Sequence, residues 1–341
     1  MFRLDGTDII TPKNAFGALP VQRRTVDEAV KILRRALQGG MTYFDTARSY
    51  TDSEEKIGIA FEGVDRKSYY LATKTPSTTR EGILSDIETS LKNLKTDYID
   101  VYQLHNAQQC YAPGDGTGVY ETMQELKAQG KIRYISITCH KIDVAFKAVE
   151  SGLYATLQFP LSYLSGEKEI ELVKKCKERG VGFIAMKGLA GGLITNARAA
   201  YGYLDQFDNV LPIWGVQHMH ELEEWLSFMD NPPTLDEELV SLIIKDRESM
   251  QGAFCRSCGY CMPCPKGIII NQCARMVLML GRAPTKKWLS DEWQKEMAKI
   301  NDCINCGRCK SRCPYGLDVP NLLKQNLEGY NRILKEEMNK K

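Results

Sequence analysis

The sequence predicts an α/β fold, a closed (β/α)8 barrel, followed by a small helical metal-binding domain. Three observations carry that prediction. Short apolar runs alternate with amphipathic stretches eight times in the first 231 residues. The first run, with Phe16-Gly-Ala-Leu-Pro20, shows none of the glycine fingerprint that normally accompanies the first strand of a doubly wound sheet. Nine of the 12 cysteines lie between Cys255 and Cys313. Alternating strands and helices build a parallel sheet, because each crossover helix returns the chain to the same edge. Eight such units in roughly 220 residues fit a closed barrel.

Each element follows from local pattern. Residues 3–10 read as a charged hairpin turning at Asp5-Gly6. Strands are predicted at 15–19, 42–44, 69–73, 98–104, 132–137, 155–159, 182–186 and 211–214. Helices are predicted at 26–38, stopped by Gly39-Gly40, and near 53–61, 81–93, 119–129, 142–151, 167–179, 196–207 and 219–229. The loop 106–118 after the fourth strand is long enough to act as a substrate lid. Asn231-Pro-Pro233 marks a boundary, giving a barrel domain at 1–231 and a second domain at 232–341. Helices in the second domain are predicted at 234–248, 268–281 and 288–301.

Composition narrows the class. The 341 residues are 43% hydrophobic and 26% charged, which describes a globular chain able to bury a sizeable core. A net charge of +2 favours neither nucleic acid nor an anionic membrane as partner. No apolar run approaches the roughly 18 residues of a membrane span. The start, Met1-Phe-Arg-Leu-Asp5, has no apolar segment typical of a secretion signal, so a cytoplasmic location is expected. Residues 232–341 hold 18 Lys/Arg against 13 Asp/Glu, an excess that bound anionic clusters would offset.

The cysteines fall into two motifs, Cys255-Arg-Ser-Cys-Gly-Tyr-Cys-Met-Pro-Cys-Pro265 and Cys303-Ile-Asn-Cys-Gly-Arg-Cys-Lys-Ser-Arg-Cys-Pro314. The second is C-x2-C-x2-C-x3-C-P in full; the first is one residue shorter before its last Cys-Pro. Three closely spaced thiolates wrap one iron–sulfur cube, and the fourth ligates the neighbouring cluster. One [4Fe–4S] cluster is therefore assigned to Cys255, Cys258, Cys261 and Cys313, the other to Cys303, Cys306, Cys309 and Cys264. Zinc is the alternative, since four thiolates also hold it. Cys273 is an alternative to Cys264, or else a buried core thiol. With long helices between its motifs, the tail resembles the α-helical ferredoxins.

Active groups of such barrels gather at the C-terminal ends of the strands. Asp45 follows the second predicted strand, Lys74 the third and His105 the fourth, while Tyr50 shares the loop of Asp45. A phenol of pKa about 10 is a poor acid near neutrality, but an adjacent ammonium favours its phenolate. Lys74 would supply that charge, Asp45 would hold Lys74 charged, and His105 would orient a carbonyl. Together they form a proton relay for carbonyl reduction or alcohol oxidation, with a nicotinamide as hydride carrier.

Phe44-Asp-Thr-Ala-Arg-Ser-Tyr50, Leu71-Ala-Thr-Lys74 and Asp100-Val-Tyr-Gln-Leu-His105 resemble the three signature stretches of the aldo/keto reductases. The resemblance implies a TIM barrel that reduces aldehydes or ketones with NAD(P)H, with Tyr50 as general acid assisted by Lys74, Asp45 and His105. It places Thr138 and Gln158 at the nicotinamide carboxamide, with Lys187 and Gly215, after strands seven and eight, completing the candidate cofactor site. The sequence departs from the family in two places. Met186-Lys-Gly-Leu-Ala-Gly-Gly192 lacks the aromatic that often stacks on the nicotinamide, and residues 215–224 lack the Arg or Lys that usually holds the 2′-phosphate of NADPH. Glu221, Glu223 or Glu224 would instead meet ribose hydroxyls, favouring NADH, or form a solvated helix face. The combination of barrel and tail resembles the ferredoxin-tailed branch of the family.

A hydride carries two electrons, whereas each cluster accepts one. The reading preferred is a carbonyl reductase acting on a small molecule, with clusters that are structural or sense redox state. The alternative is a ferredoxin-linked reductase whose clusters exchange single electrons with the barrel site through a flavin or the substrate. A module that only transfers electrons is disfavoured by the complete Asp-Tyr-Lys-His set.

Overall fold

A computed structural model describes residues 1–250, 254–282 and 286–339. The chain forms two compact units, Met1–Gly188 with Arg198–Leu239, and Leu189–Ala197 with Val240–Lys341.

In the first unit, β1 (Phe2–Arg3) and β2 (Ile10–Thr11) form the predicted antiparallel hairpin. Eight parallel strands follow: β3 (Ala15–Gly17), β4 (Tyr43–Asp45), β5 (Tyr70–Thr75), β6 (Ile99–Leu104), β7 (Ile132–Thr138), β8 (Thr156–Pro160), β9 (Gly182–Met186) and β10 (Val210–Gly215). Each pairs with the next, and β10 pairs back onto β3 to close the barrel. The intervening helices start and stop where capping chemistry dictates. In the helix Val26–Gln38, for example, Thr25 and Glu28 cap each other reciprocally.

The N-terminal hairpin stops one mouth of the barrel. Phe2, Leu4 and Ile9 pack against Ala15, Tyr43 and Leu211 in one buried cluster. The turn runs so close to the starts of β8 and β9 that a Cβ on Gly6 would lie 2.2 Å from the Ala155 carbonyl oxygen. The C-terminal mouth carries the polar residues.

The second unit holds the helices Ile270–Cys273, Met276–Arg282, Asp291–Ala298, Arg308–Ser311 and Val319–Asn339, with Glu237–Ser249 leading into it. The single helix predicted at 268–281 is two pieces. Asn326 bridges their break, donating to the Ala274 carbonyl at 3.0 Å and accepting from the Val277 amide at 3.0 Å, so the backbone groups released there stay satisfied. The stretch predicted as helix at 288–301 is helical at Asp291–Ala298, with tighter turns at Lys286–Leu289 and Lys299–Asp302 on either side. Val319–Asn339 is a further helix absent from the predicted elements. Its Pro320 lies in the first turn, where proline is tolerated, and a Cβ on Gly329 would meet Val277 at 2.7 Å. Among the described residues no helix is long and apolar enough to cross a membrane.

Candidate active site and cysteine centre

Parallel register brings the polar side chains to the open rim. Asp45 ends β4 beside Gly17 of β3 and Ala72 of β5, Lys74 pairs with Gln103, and Thr138 pairs with Gln158. Asp45 and Lys74 therefore belong to the strands rather than to the loops that follow them. This anchors both more firmly than a loop position would.

Both side chains are buried. Lys74 Nζ lies 2.6 Å from Asp45 Oδ1 and donates to the Thr46 carbonyl at 2.5 Å. Asp45 also accepts from Gln103 Nε2 at 3.0 Å and Gln158 Nε2 at 3.4 Å. Burial raises the Asp45 carboxyl above its ordinary value, against the pull of Lys74 and the two amides.

Tyr50 approaches this pair from the loop after β4. Lys74 Nζ sits 5.2 Å from its ring centroid, and the His105 ring meets it edge-on at 5.8 Å. The loop is pinned by the Arg48 amide donating to the Lys74 carbonyl at 3.0 Å and by the Arg48–Glu54 ion pair at 2.8 Å. Glu54 is buried and also accepts from Thr73 and Ser90 at 2.7 Å each. The four predicted groups are thus together. Lys74 favours the Tyr50 phenolate as expected, but burial acts more strongly and raises the phenol, so Tyr50 is held in its protonated form. Burial, aided by Lys74, pushes His105 down to about 3, which leaves a neutral imidazole.

Gln158 Oε1 is buried without a donor among the described residues. Lys187 follows β9 in a left-handed conformation, φ +62°, and Gly215 ends β10, exposed. Two of the glutamates expected at a ribose are engaged elsewhere. Glu221 caps its helix, accepting from the Gln217 amide at 2.7 Å and the His218 amide at 2.9 Å. Glu223 forms a two-point ion pair with Arg35 at 2.8 and 2.7 Å. Glu224 is exposed.

Three rim residues escape the sequence reading. Gln103 holds Asp45, and its place inside the stretch Asp100–His105 was the available signal. His140, two residues beyond β7, is buried and depressed by burial, with Lys187 and His105 adding to the effect. Arg23 reaches Gln217 at 3.3 Å, because β3 lies beside β10. The loop 106–118 is anchored at its base by the Ala107 amide donating to the Thr138 carbonyl at 2.8 Å, and by Tyr154 donating to the Tyr111 carbonyl at 2.6 Å.

In the second unit the two cysteine motifs share one backbone form. The residues two and four after the first cysteine are left-handed in both, Ser257 and Gly259 in one, Asn305 and Gly307 in the other. The Ser257 amide accordingly points at Cys255 Sγ, 3.4 Å away, the kind of N–H that steadies a thiolate bound to iron. Cys261, Cys264, Cys303, Cys306 and Cys309 line one cavity; Cys273 is buried apart from it. Among the described residues no group of three His, Cys, Asp or Glu side chains could hold a single metal ion. Eight cysteine thiols in two closely spaced sets, each closed by Cys-Pro, fit thiolate-bound iron–sulfur clusters.

The chain matches the aldo/keto reductase family over residues 14–209 and a 4Fe-4S dicluster domain over residues 254–318. It is 30% identical over 183 residues to L-galactose dehydrogenase of Arabidopsis thaliana, covering 50% of this chain and 57% of that protein. It is 34% identical over 182 residues to aldo-keto reductase YhdN of Bacillus subtilis, covering 49% and 54%. The chain thus spans little more than half the length of these curated relatives. Its fold is similar to that of an aldo-keto reductase from Klebsiella pneumoniae in complex with NADPH, with a TM-score of 0.61 at 23% identity, covering 72% of this chain and 93% of the other. The chain belongs to the aldo/keto reductase family. Within it, this chain carries a 4Fe-4S dicluster domain in the same polypeptide.

Proposed function

We propose that the barrel reduces a small aldehyde or ketone, or oxidises the corresponding alcohol, with NAD(P)H or NAD(P)+. The observation that carries this reading is the contact set joining Asp45, Lys74, Tyr50 and His105 at the open rim. The orphaned Gln158 Oε1 beside Thr138 suits the amide N–H of a nicotinamide carboxamide, and Lys187 and Gly215 would complete the cofactor site. The nicotinamide, when bound, supplies or takes the hydride. Tyr50 Oη gives its proton to the carbonyl oxygen, and the Lys74 ammonium lowers the cost of the phenolate left behind. Neutral His105 donates one N–H to the same oxygen and aligns it. Asp45 holds Lys74, and the loop 106–118 covers the substrate.

The tail, taken as a domain at 232–341 after a barrel at 1–231, would hold two [4Fe–4S] clusters. Cys255, Cys258, Cys261 and Cys313 would bind one, and Cys264, Cys303, Cys306 and Cys309 the other. The shared left-handed backbone of the two motifs supports this.

Anaerobic assays of the holoprotein against small aldehydes and ketones, with NADH and with NADPH, test the proposal. Wild type should consume the nicotinamide, and Tyr50→Phe should lose turnover with its cluster absorbance intact. Turnover that requires reduced ferredoxin or a bound flavin would overturn it.

A further inference from the structure

Arg275 is a buried cation without a hydrogen-bonded or ion-pair partner among the described residues. It lies at the break between the helices Ile270–Cys273 and Met276–Arg282 and is 3% exposed. Among the described residues its Nε and Nη1 find no acceptor, and no carboxylate pairs with it. Burying a guanidinium this way is costly unless an anion compensates it.

The surroundings indicate which anion. A Cβ on Gly191, itself left-handed at φ +69°, would lie 3.1 Å from Arg275 Nη1 and 3.4 Å from both the Arg256 carbonyl oxygen and Ser257 Cβ. Arg275 thus sits behind the first cysteine loop. It is close enough to Cys255 for the two to interact electrostatically, and Cys255 interacts in the same way with Cys258 and Cys313. The cations that line the cavity of Cys261, Cys264, Cys303, Cys306 and Cys309, Lys266 and Arg308, are by contrast exposed, where solvent and salt screen them.

We infer that Arg275 is the resident counter-ion of the cluster held by Cys255, Cys258, Cys261 and Cys313 and raises the reduction potential of that cluster alone. A cube with four thiolates is an anion whose charge grows by one on reduction, so a fixed, poorly screened cation favours the reduced form. The inference rests on the ligand assignment proposed above.

The test is an EPR-monitored redox titration of the anaerobic full-length holoprotein, with iron measured in every sample. About eight irons in the wild type satisfy the two-cluster reading; fewer fail that reading, whatever Arg275 does. Arg275→Gln should lower one midpoint by about 59 mV or more, a tenfold or greater loss in a one-electron equilibrium, and leave the other in place. Arg275→Lys should remain near wild type. If Arg275→Gln does not keep its iron, loading becomes the readout, and restoration by Arg275→Lys supports the inference. It is overturned if a loaded Arg275→Gln moves neither midpoint or both together, if Arg275→Lys titrates like Arg275→Gln, or if both variants lose iron.

Discussion

The ring of His105 meets the ring of Tyr50 edge-on, with centroids 5.8 Å apart and planes at 81°. The pair places a neutral hydrogen-bond donor beside a protonated phenol, because burial depresses the imidazole to about 3 and raises the phenol. Under the proposed carbonyl chemistry, the rate should therefore show no limb from His105 around its ordinary value of 6.5. A rate profile between about pH 5.5 and 7.5 checks this. An acid limb near 6.5 that vanishes in His105→Gln would contradict it. Folding has a matching dependence. Between 6.5 and about 3 the unfolded chain binds the His105 proton and the folded chain does not, so stability falls as pH drops through that window and is flat above it.

Removing Lys74 should destabilise the barrel more than removing the whole pair. Lys74→Met leaves the buried Asp45 carboxylate without its partner at 2.6 Å, which costs about 3–5 kcal/mol for a buried ion pair broken on one side. Adding Asp45→Asn to Lys74→Met should recover most of that loss. Urea unfolding of the two single variants and the double variant gives the coupling directly. A Lys74→Met variant as stable as wild type would mean that the pair is solvated in solution.

The two candidates for the fourth ligand of the second proposed cluster can be separated. Cys264 lines the cavity with Cys303, Cys306 and Cys309, whereas Cys273 is buried in the core beside Ile270 and Met276. Cys264→Ser should lose or weaken one cluster, measured as iron content and EPR signal. Cys273→Ser should load like wild type. The opposite pattern would move the ligand assignment to Cys273.

The barrel was legible because its signals are local. Helix caps such as Thr25 with Glu28, apolar runs of strand length and residues at strand ends all show within a few positions of one another. That is why Asp45, Tyr50, Lys74 and His105 were found together. Partners brought by register were not legible. Gln103 bonds Asp45 across 58 residues and Arg23 reaches Gln217 across 194, and neither distance leaves a trace in sequence spacing. The Arg35 partner of Glu223 was hidden in the same way, since it lies 188 residues away. In the tail, the helix predicted as continuous breaks where Asn326, about fifty residues on, can satisfy the freed backbone.

Arg23 bears on cofactor choice. Residues 215–224 hold no Arg or Lys, yet pairing of β3 with β10 brings Arg23, from the turn Leu19–Arg23, to Gln217 at 3.3 Å. Under the nicotinamide reading, this is a cation that can meet a 2′-phosphate. A charge-assisted bond of about 1.5–3 kcal/mol corresponds to roughly ten- to hundredfold in affinity. Arg23→Ala should therefore raise KM for NADPH by about that factor and leave KM for NADH nearly unchanged. Steady-state kinetics with both cofactors decide it. Equal changes for the two would place Arg23 away from the phosphate and leave the exposed Glu224 as the acidic residue free to meet the ribose of NADH.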